Sequence, residues 1–341
     1  MQLKNSKYAA GSKVTSHHLM FTDNQVYNTQ TGINEKKSLI LNKRRKDMTI
    51  FKGSGTALVT PMKENEEINY DSLERLIEDQ IKNGSDALVI CGTSGEAPTL
   101  DDPEHLEAIR FSVETAKGRI PIIAGTGSNN TAHAVMMSEE SEKLGADGLL
   151  LVTPYYNKAT QDGLYAHYRK IASATKLPCI VYNVPSRTGT NILPETMARL
   201  VKDQENIAGI KEASGNISQV AKLANLTDGK IAIYSGNDDQ IVPLCSLGGV
   251  GVISVLANVA PRETHDLVMH CLEGRYDEAR KLQLRALPLI DQLFIEVNPI
   301  PVKAALNMQG FDVGSPRLPL TELTDAHKET LRKAMIDFGC L

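Results

Sequence analysis

From Ser54 onward, short β-branched apolar runs alternate with segments whose apolar residues recur at helical spacing, and the two kinds follow one another at steady intervals. Alternation of this kind predicts βαβ units and a parallel sheet. Eight candidate strands stand out: Thr56–Thr60, Ala87–Cys91, Ile120–Ala124, Gly148–Val152, Cys179–Asn183, Ile207–Lys211, Ile231–Ser235 and Gly251–Val255. Between them lie amphipathic stretches such as Asp71–Lys82, Pro103–Ala116, Ala132–Leu144, Gly163–Thr175 and Pro194–Val201, several opened by the Asp, Thr or Pro that starts helices. Eight repeats within about 210 residues match the size of a (β/α)8 barrel. An open doubly wound sheet shares the periodicity, but the uniformly short, evenly spaced strands favour closure.

After the eighth unit, residues 261–341 show only helical periodicity, over Glu273–Phe294, Pro301–Met308 and Asp325–Asp337. The expected fold is therefore α/β: a (β/α)8 TIM barrel over residues 48–260, followed by a C-terminal helical extension over 261–341. Residues 1–47 differ from the rest, with nine Lys and Arg against only Asp23, Glu35 and Asp47. They are rich in Asn, Ser and Thr and contain too little apolar surface for a core. The apolar stretch Ser38–Leu41 is too short for a secretion signal, and the basic cluster Lys43–Lys46 follows it instead of preceding it. A basic, acid-poor segment also fits an organellar transit peptide. The reading adopted is a disordered extension or mis-assigned start, with the domain opening at Met48.

Composition narrows the function. A hydrophobic content of 41% supports a substantial core, while a formal charge of −4 leaves no basic field for nucleic acid or an anionic membrane. No apolar run is long enough to cross a bilayer. The five cysteines are odd in number, widely spaced and without a Cys-x-x-Cys pair, so they read as reduced core thiols in a cytoplasmic protein. An acidic metabolite would have to be met by a local cation.

In a barrel, function collects in the loops after the strand ends. The sixth strand ends on Lys211, after Ile207-Ala208-Gly209-Ile210 and before Glu212-Ala213-Ser214-Gly215. Taken alone, such a lysine reads as a strand-end charge reaching water. Inside a barrel its ammonium needs a partner or loses its proton, and a neutral amine is a nucleophile toward carbonyls. The second strand runs into Gly92-Thr93-Ser94-Gly95-Glu96, whose backbone N–H groups suit a carboxylate, although an ordinary glycine turn reads the same way. Tyr155 and Tyr156 follow the fourth strand and Tyr182 ends the fifth; phenols move protons, but also simply pack with a wet hydroxyl. Arg187 offers a bidentate clamp for a carboxylate, or a surface ion pair. Asp238 and Asp239 read as helix-starting residues, and no His, Asp and Glu spacing converges on a metal. Together these loops hold a lysine nucleophile, proton-relay hydroxyls, a carboxylate cradle and an arginine, a set that fits Schiff-base chemistry on a 2-oxo acid.

The runs Gly92-Thr93-Ser94-Gly95-Glu96, Thr153-Pro154-Tyr155-Tyr156-Asn157, Tyr182-Asn183-Val184-Pro185-Ser186-Arg187-Thr188-Gly189, Gly209-Ile210-Lys211-Glu212-Ala213 and Asn298-Pro299-Ile300-Pro301-Val302-Lys303 closely resemble those of the 4-hydroxy-tetrahydrodipicolinate synthases, within the class I pyruvate-dependent lyases. The resemblance covers essentially Met48 to the C-terminus. It implies condensation of pyruvate with L-aspartate 4-semialdehyde on the way to diaminopimelate and lysine, without cofactor or metal. Carried over residue by residue, it implies that Lys211 forms the imine and that pyruvate's carboxylate sits against Thr93 and Ser94. Tyr182 becomes the general acid/base, and Thr93 relays protons between it and Tyr156, which enters from a neighbouring subunit. Arg187 then holds the semialdehyde carboxylate, while Gly236 and Ile253 shape the pocket. A homo-oligomer, a dimer of dimers, is expected.

Ser94 stands where the family usually has threonine, a change that keeps the hydroxyl. The family's lysine-binding interface pocket is altered: Ala97-Pro98 is followed by Asp102, and His133 stands where an acid is expected, although His105, Asn129 and Tyr155 match. Feedback inhibition by lysine is therefore expected to be weak or absent. The nearest alternative is a sister lyase, an N-acetylneuraminate lyase or 2-keto-3-deoxy-sugar-acid aldolase, sharing Lys211, Tyr182 and the carboxylate turn but not needing Arg187. The other class is a non-catalytic barrel that binds a 2-oxo acid, which has no use for the complete relay of Thr93, Tyr156, Tyr182 and Lys211.

Overall fold

The structure, a computed structural model, describes residues 49–341 and contains eight strands closed into one parallel barrel in chain order. They are β1 (Gly53–Ala57), β2 (Ala87–Ile90), β3 (Ile122–Gly125), β4 (Gly148–Val152), β5 (Cys179–Asn183), β6 (Ile207–Glu212), β7 (Ala232–Ser235) and β8 (Gly251–Ser254). The extension expected over residues 1–47 lies outside the described residues. From the second strand to the eighth, expectation and structure agree to within two residues at each end. The first strand is Gly53–Ala57 where Thr56–Thr60 was expected.

That shift has a physical cause at the closing seam. Gly53, Ser54 and Gly55 lack the β-branched side chains that mark strands, yet they pair with Gly251, Val252 and Ile253 of β8. At Gly251 an added Cβ would lie 2.1 Å from the carbonyl oxygen of Gly53, so the seam closes only where the two backbones can touch.

Helices α1 (Tyr70–Lys82), α2 (Asp102–Ala116), α3 (Thr131–Lys143), α4 (Gln161–Ala172), α5 (Pro185–Thr188), α6 (Pro194–Asp203), α7 (Ile217–Thr227), α8 (Ile241–Ser246) and α9 (Pro261–Leu272) follow the strands. Local chemistry sets many of their starts. Asn69, Asp101, Asn130, Thr160 and Asn216 each accept a hydrogen bond from a first-turn amide, while α6 and α9 begin on proline.

Alternation along the strands sends one set of side chains into the barrel and the other toward the helices. The inner set includes Val89, Ile123, Leu150, Ile180, Tyr182, Tyr234 and Ile253. At the amino end of the barrel the rings of Phe51 and Tyr234 stack with centroids 4.4 Å apart, and the Tyr234 hydroxyl donates to the Phe51 carbonyl at 2.7 Å. This pair plugs the floor and leaves the opposite end open.

Beyond the ring of barrel helices come α10 (Tyr276–Leu293), α11 (Ile300–Met308) and α12 (Asp325–Phe338), a C-terminal helical extension; it starts after α9, which completes the barrel ring, where the expectation began it at residue 261. Among the described residues, no helix is long and apolar enough to cross a membrane. The closing seam yields a stability prediction. Gly251→Ala should cost about 3 kcal/mol, since two backbones would have to separate, as read from the denaturation midpoint.

Candidate active site

Lys211 lies next to last in β6, where alternation turns it into the barrel while Ile210 and Glu212 face the helix layer. Glu212 is held there by Asn183, Gln219 and the Ser214 amide, at 2.8 to 3.2 Å. Lys211 is 5% exposed, and its neighbour in register on β5 is Tyr182. The lysine Nζ sits 4.4 Å from the centre of the Tyr182 ring. Burial pulls the lysine from its ordinary value of 10.5 down to about 7, with the charge of Arg187 acting the same way and the Asp238 carboxylate opposing. Close to neutrality, a large share of the amine is therefore unprotonated. Burial pushes the Tyr182 phenol the other way, above its usual range, against the pull of Arg187 and of the Thr93 side chain that faces it. At neutral pH this phenol holds its proton.

Around the amine opens a cavity of about 450 Å³ at the carboxyl ends of the strands, lined by Lys211, Tyr182, Thr93, Ser94, Arg187 and Gly236 among others. Thr93 and Ser94 occupy a turn closed by the Glu96 amide on the Thr93 carbonyl at 3.2 Å and braced by Thr60, whose hydroxyl donates to Gly95 at 2.7 Å. Arg187 comes from the short α5, and its guanidinium reaches the Asn298 carbonyl at 3.5 Å. Gly236 is tightly placed: a Cβ there would lie 2.6 Å from that of Ala213 and 3.1 Å from Lys211 Cε. Any larger residue would push the lysine chain aside.

Two of the residues singled out from the sequence are not brought to this cavity wall. Ile253 is fully buried and belongs to the apolar layer inside the barrel. Tyr156, with φ of 73°, is 90% exposed and does not line the cavity of its own chain.

Two others line the cavity without having been assigned a role. Asp238 does open a 3-10 turn, but its carboxylate accepts from the Val255 and Leu256 amides at 3.1 and 2.9 Å, joining the ends of β7 and β8 beside Lys211. Burial raises its pKa, against the Ser254 hydroxyl and those amides. Asn298 donates from Nδ2 to Ser94 Oγ at 3.0 Å. The signal for Asp238 was its place at a strand end, which a helix-start reading masks; the partner of Asn298 is 204 positions away and left no local trace. Among the described residues, no group of three or more His, Cys, Asp or Glu side chains gathers to hold a metal ion.

Residues 50–337 match the model of the dihydrodipicolinate synthetase family. The chain belongs to that family. A 4-hydroxy-tetrahydrodipicolinate synthase of Caldicellulosiruptor bescii is 58% identical over 292 residues, 86% of this chain and 98% of the relative. Among solved structures, a dihydrodipicolinate synthase from Aquifex aeolicus superposes with a TM-score of 0.84 at 43% identity, over 85% of this chain and 99% of that one. A chloride-inhibited synthase from Acinetobacter baumannii, solved with pyruvate, gives 0.83 at 44% identity, over 85% and 99%. As a dihydrodipicolinate synthetase family member the chain is an enzyme, a lyase of the class I aldolase type. Its fold is the TIM barrel of the family.

The burial of Lys211 has a cost whose pH dependence is fixed in sign. Its folded value of about 7 lies below the ordinary 10.5, so the penalty is present in full below about pH 7 and fades as pH rises toward 10.5. Lys211→Met should therefore be more stable than the native enzyme by roughly a few kcal/mol at pH 7, and this gain should shrink toward pH 10 in denaturation curves.

Proposed function

We propose that Lys211 is the imine-forming nucleophile of a 4-hydroxy-tetrahydrodipicolinate synthase, which condenses pyruvate with L-aspartate 4-semialdehyde in lysine and diaminopimelate biosynthesis. The observation that carries the assignment is the buried Lys211 amine, its pKa lowered to about 7, set against Tyr182 and Thr93 in a cavity that also holds Arg187. The amine adds to the pyruvate carbonyl carbon and water leaves, giving the imine. Loss of a methyl proton converts the imine to an enamine, whose carbon attacks the aldehyde, and the resulting oxyanion takes a proton. The amino group of the semialdehyde then adds to the imine carbon, closing the ring and releasing Lys211.

Tyr182 acts as general acid and base: its raised pKa keeps the proton available for the leaving water and for the aldehyde oxygen. Pyruvate's carboxylate lies in the cradle at Thr93 and Ser94, and Arg187 takes the carboxylate of the semialdehyde. Gly236 leaves room for the lysine to reach the carbonyl, and Ile253 backs the pocket from inside the barrel. Thr93 passes protons between Tyr182 and Tyr156, the latter supplied by a second copy of the chain. The 90% exposure of Tyr156 supports that role, since it is free to cross an interface. The working enzyme is thus at least a dimer, assembled as a dimer of dimers, and its unpaired, mostly buried thiols fit a cytoplasmic location.

Incubation with pyruvate and borohydride should leave a reduced adduct on Lys211, seen by mass spectrometry, and Lys211→Arg should keep the fold and lose it. An adduct elsewhere would sink the mechanism. Arg187→Ala should raise the KM for aspartate semialdehyde by roughly a hundred-fold, since bidentate charge-assisted bonds contribute about 1.5–3 kcal/mol, with far less effect on pyruvate.

Lysine feedback is weak or absent in the same reading. Asp102 and His133 are spent on each other at 2.8 Å, and His105 is buried with its Nε2 2.9 Å from the Gly125 carbonyl. Burial holds His105 neutral, with a pKa near 4. The purified enzyme should keep its activity in sub-millimolar lysine; inhibition in that range would overturn this point.

A further inference from the structure

We propose that the buried pair Glu96–Lys303 is a positioning device that sets the Thr93–Ser94 cradle, making the C-terminal helical extension part of the pyruvate site. The inference rests on the reading of that turn as the seat of pyruvate's carboxylate. Glu96 closes the turn that carries Thr93 and Ser94, with its own amide on the Thr93 carbonyl. It holds a left-handed backbone at φ of 56°, a conformation that costs about 1 kcal/mol or more for a residue with a Cβ. Its carboxylate points inward: Oε1 accepts from Lys303 Nζ at 2.8 Å and Oε2 from the Arg317 amide at 2.8 Å.

Lys303, in α11, is 1% exposed and also donates to the Ser315 carbonyl at 2.9 Å. The Arg317 side chain reaches back to the Thr99 carbonyl at 2.7 Å and to the Glu104 carboxylate. Asn298, just before α11, holds Ser94 Oγ. The turn is thus gripped at two points, Ser94 and Glu96, by a segment some two hundred residues later in the chain.

Stability alone is a poor reason for such a pair. Taking two ions out of water costs several kcal/mol each, and well-packed apolar residues of similar volume often do as well or better. A charged pair differs from an apolar one in direction: its hydrogen bonds fix where Glu96, and hence the hydroxyls and N–H groups of residues 93–94, must point. An error of about 1 Å in such a first contact can cost up to roughly a hundred-fold. Glu96 and Lys303 therefore act through the turn, without touching substrate.

The test uses the full chain with Lys303→Met and with the neutral, near-isosteric pair Glu96→Gln/Lys303→Met, which removes both charges and is the variant better able to fold. The pyruvate concentration that half-saturates borohydride trapping on Lys211 should rise roughly ten-fold or more, while the KM for aspartate semialdehyde moves less than about two-fold. A folded pair variant that traps pyruvate at the native half-saturation overturns the proposal. Thr93→Val/Ser94→Ala separates the two readings. If it too leaves half-saturation unchanged, the cradle itself is misassigned; if it raises half-saturation while the pair variant does not, only the tie fails. Should neither lysine variant fold, amide exchange in the native enzyme decides. Saturating pyruvate should protect residues 303–317 together with 92–97, and protection confined to 92–97 overturns the tie.

Discussion

Desolvation of one amine is the constraint around which the rest is arranged. A lysine in water is a cation and inert toward carbonyls; inside the barrel, with apolar side chains beneath it and Arg187 nearby, Lys211 keeps its charge only at a cost. That cost demands a sealed interior, hence a closed barrel, a floor made by Phe51 and Tyr234, and a glycine seam between β1 and β8. It also demands moderation. The Asp238 carboxylate, anchored on two backbone amides, favours the charged form and so keeps the lysine from becoming a permanently uncharged amine. Tyr182 experiences the same burial with the opposite consequence, since the form that burial favours for a phenol is the protonated one. The same burial therefore favours the neutral form of both groups, an amine and a phenol side by side.

Much of this was legible from residue order. Seven strands announce themselves because a buried parallel strand needs consecutive apolar, β-branched residues, and helices capped by Asn69, Asp101 or Thr160 reveal their starts through local chemistry. Lys211 was visible as a charge that breaks an apolar run at a strand end. The first strand was displaced because Gly53 and Gly55 leave room for the Asp86 carboxylate and the Phe51 ring where strand propensity rewards β-branched side chains. Roles for Thr93, Tyr156 and Arg187 came from resemblance to a family, since hydroxyls, phenols and guanidinium groups at loops are compatible with several uses.

What stayed hidden shares one property: it depends on distance along the chain. Asn298 on Ser94 and Lys303 on Glu96 each join residues more than two hundred positions apart, and nothing local to either partner records the other. Asp238 hid differently. Its neighbours spell a helix start, and that is also true, but the carboxylate is turned away to β8 and the cavity. A side chain's local and distant uses need not exclude one another.

The plugged floor has a temporal consequence. With Phe51 and Tyr234 stacked across the amino end, molecules enter and leave the well only by its mouth, and Lys211 lies below that mouth. Such a well works as a queue. In the proposed reaction pyruvate descends first, the water released on forming the imine passes upward before the aldehyde settles, and a semialdehyde that arrives early stands in the doorway of the reaction it is waiting to join.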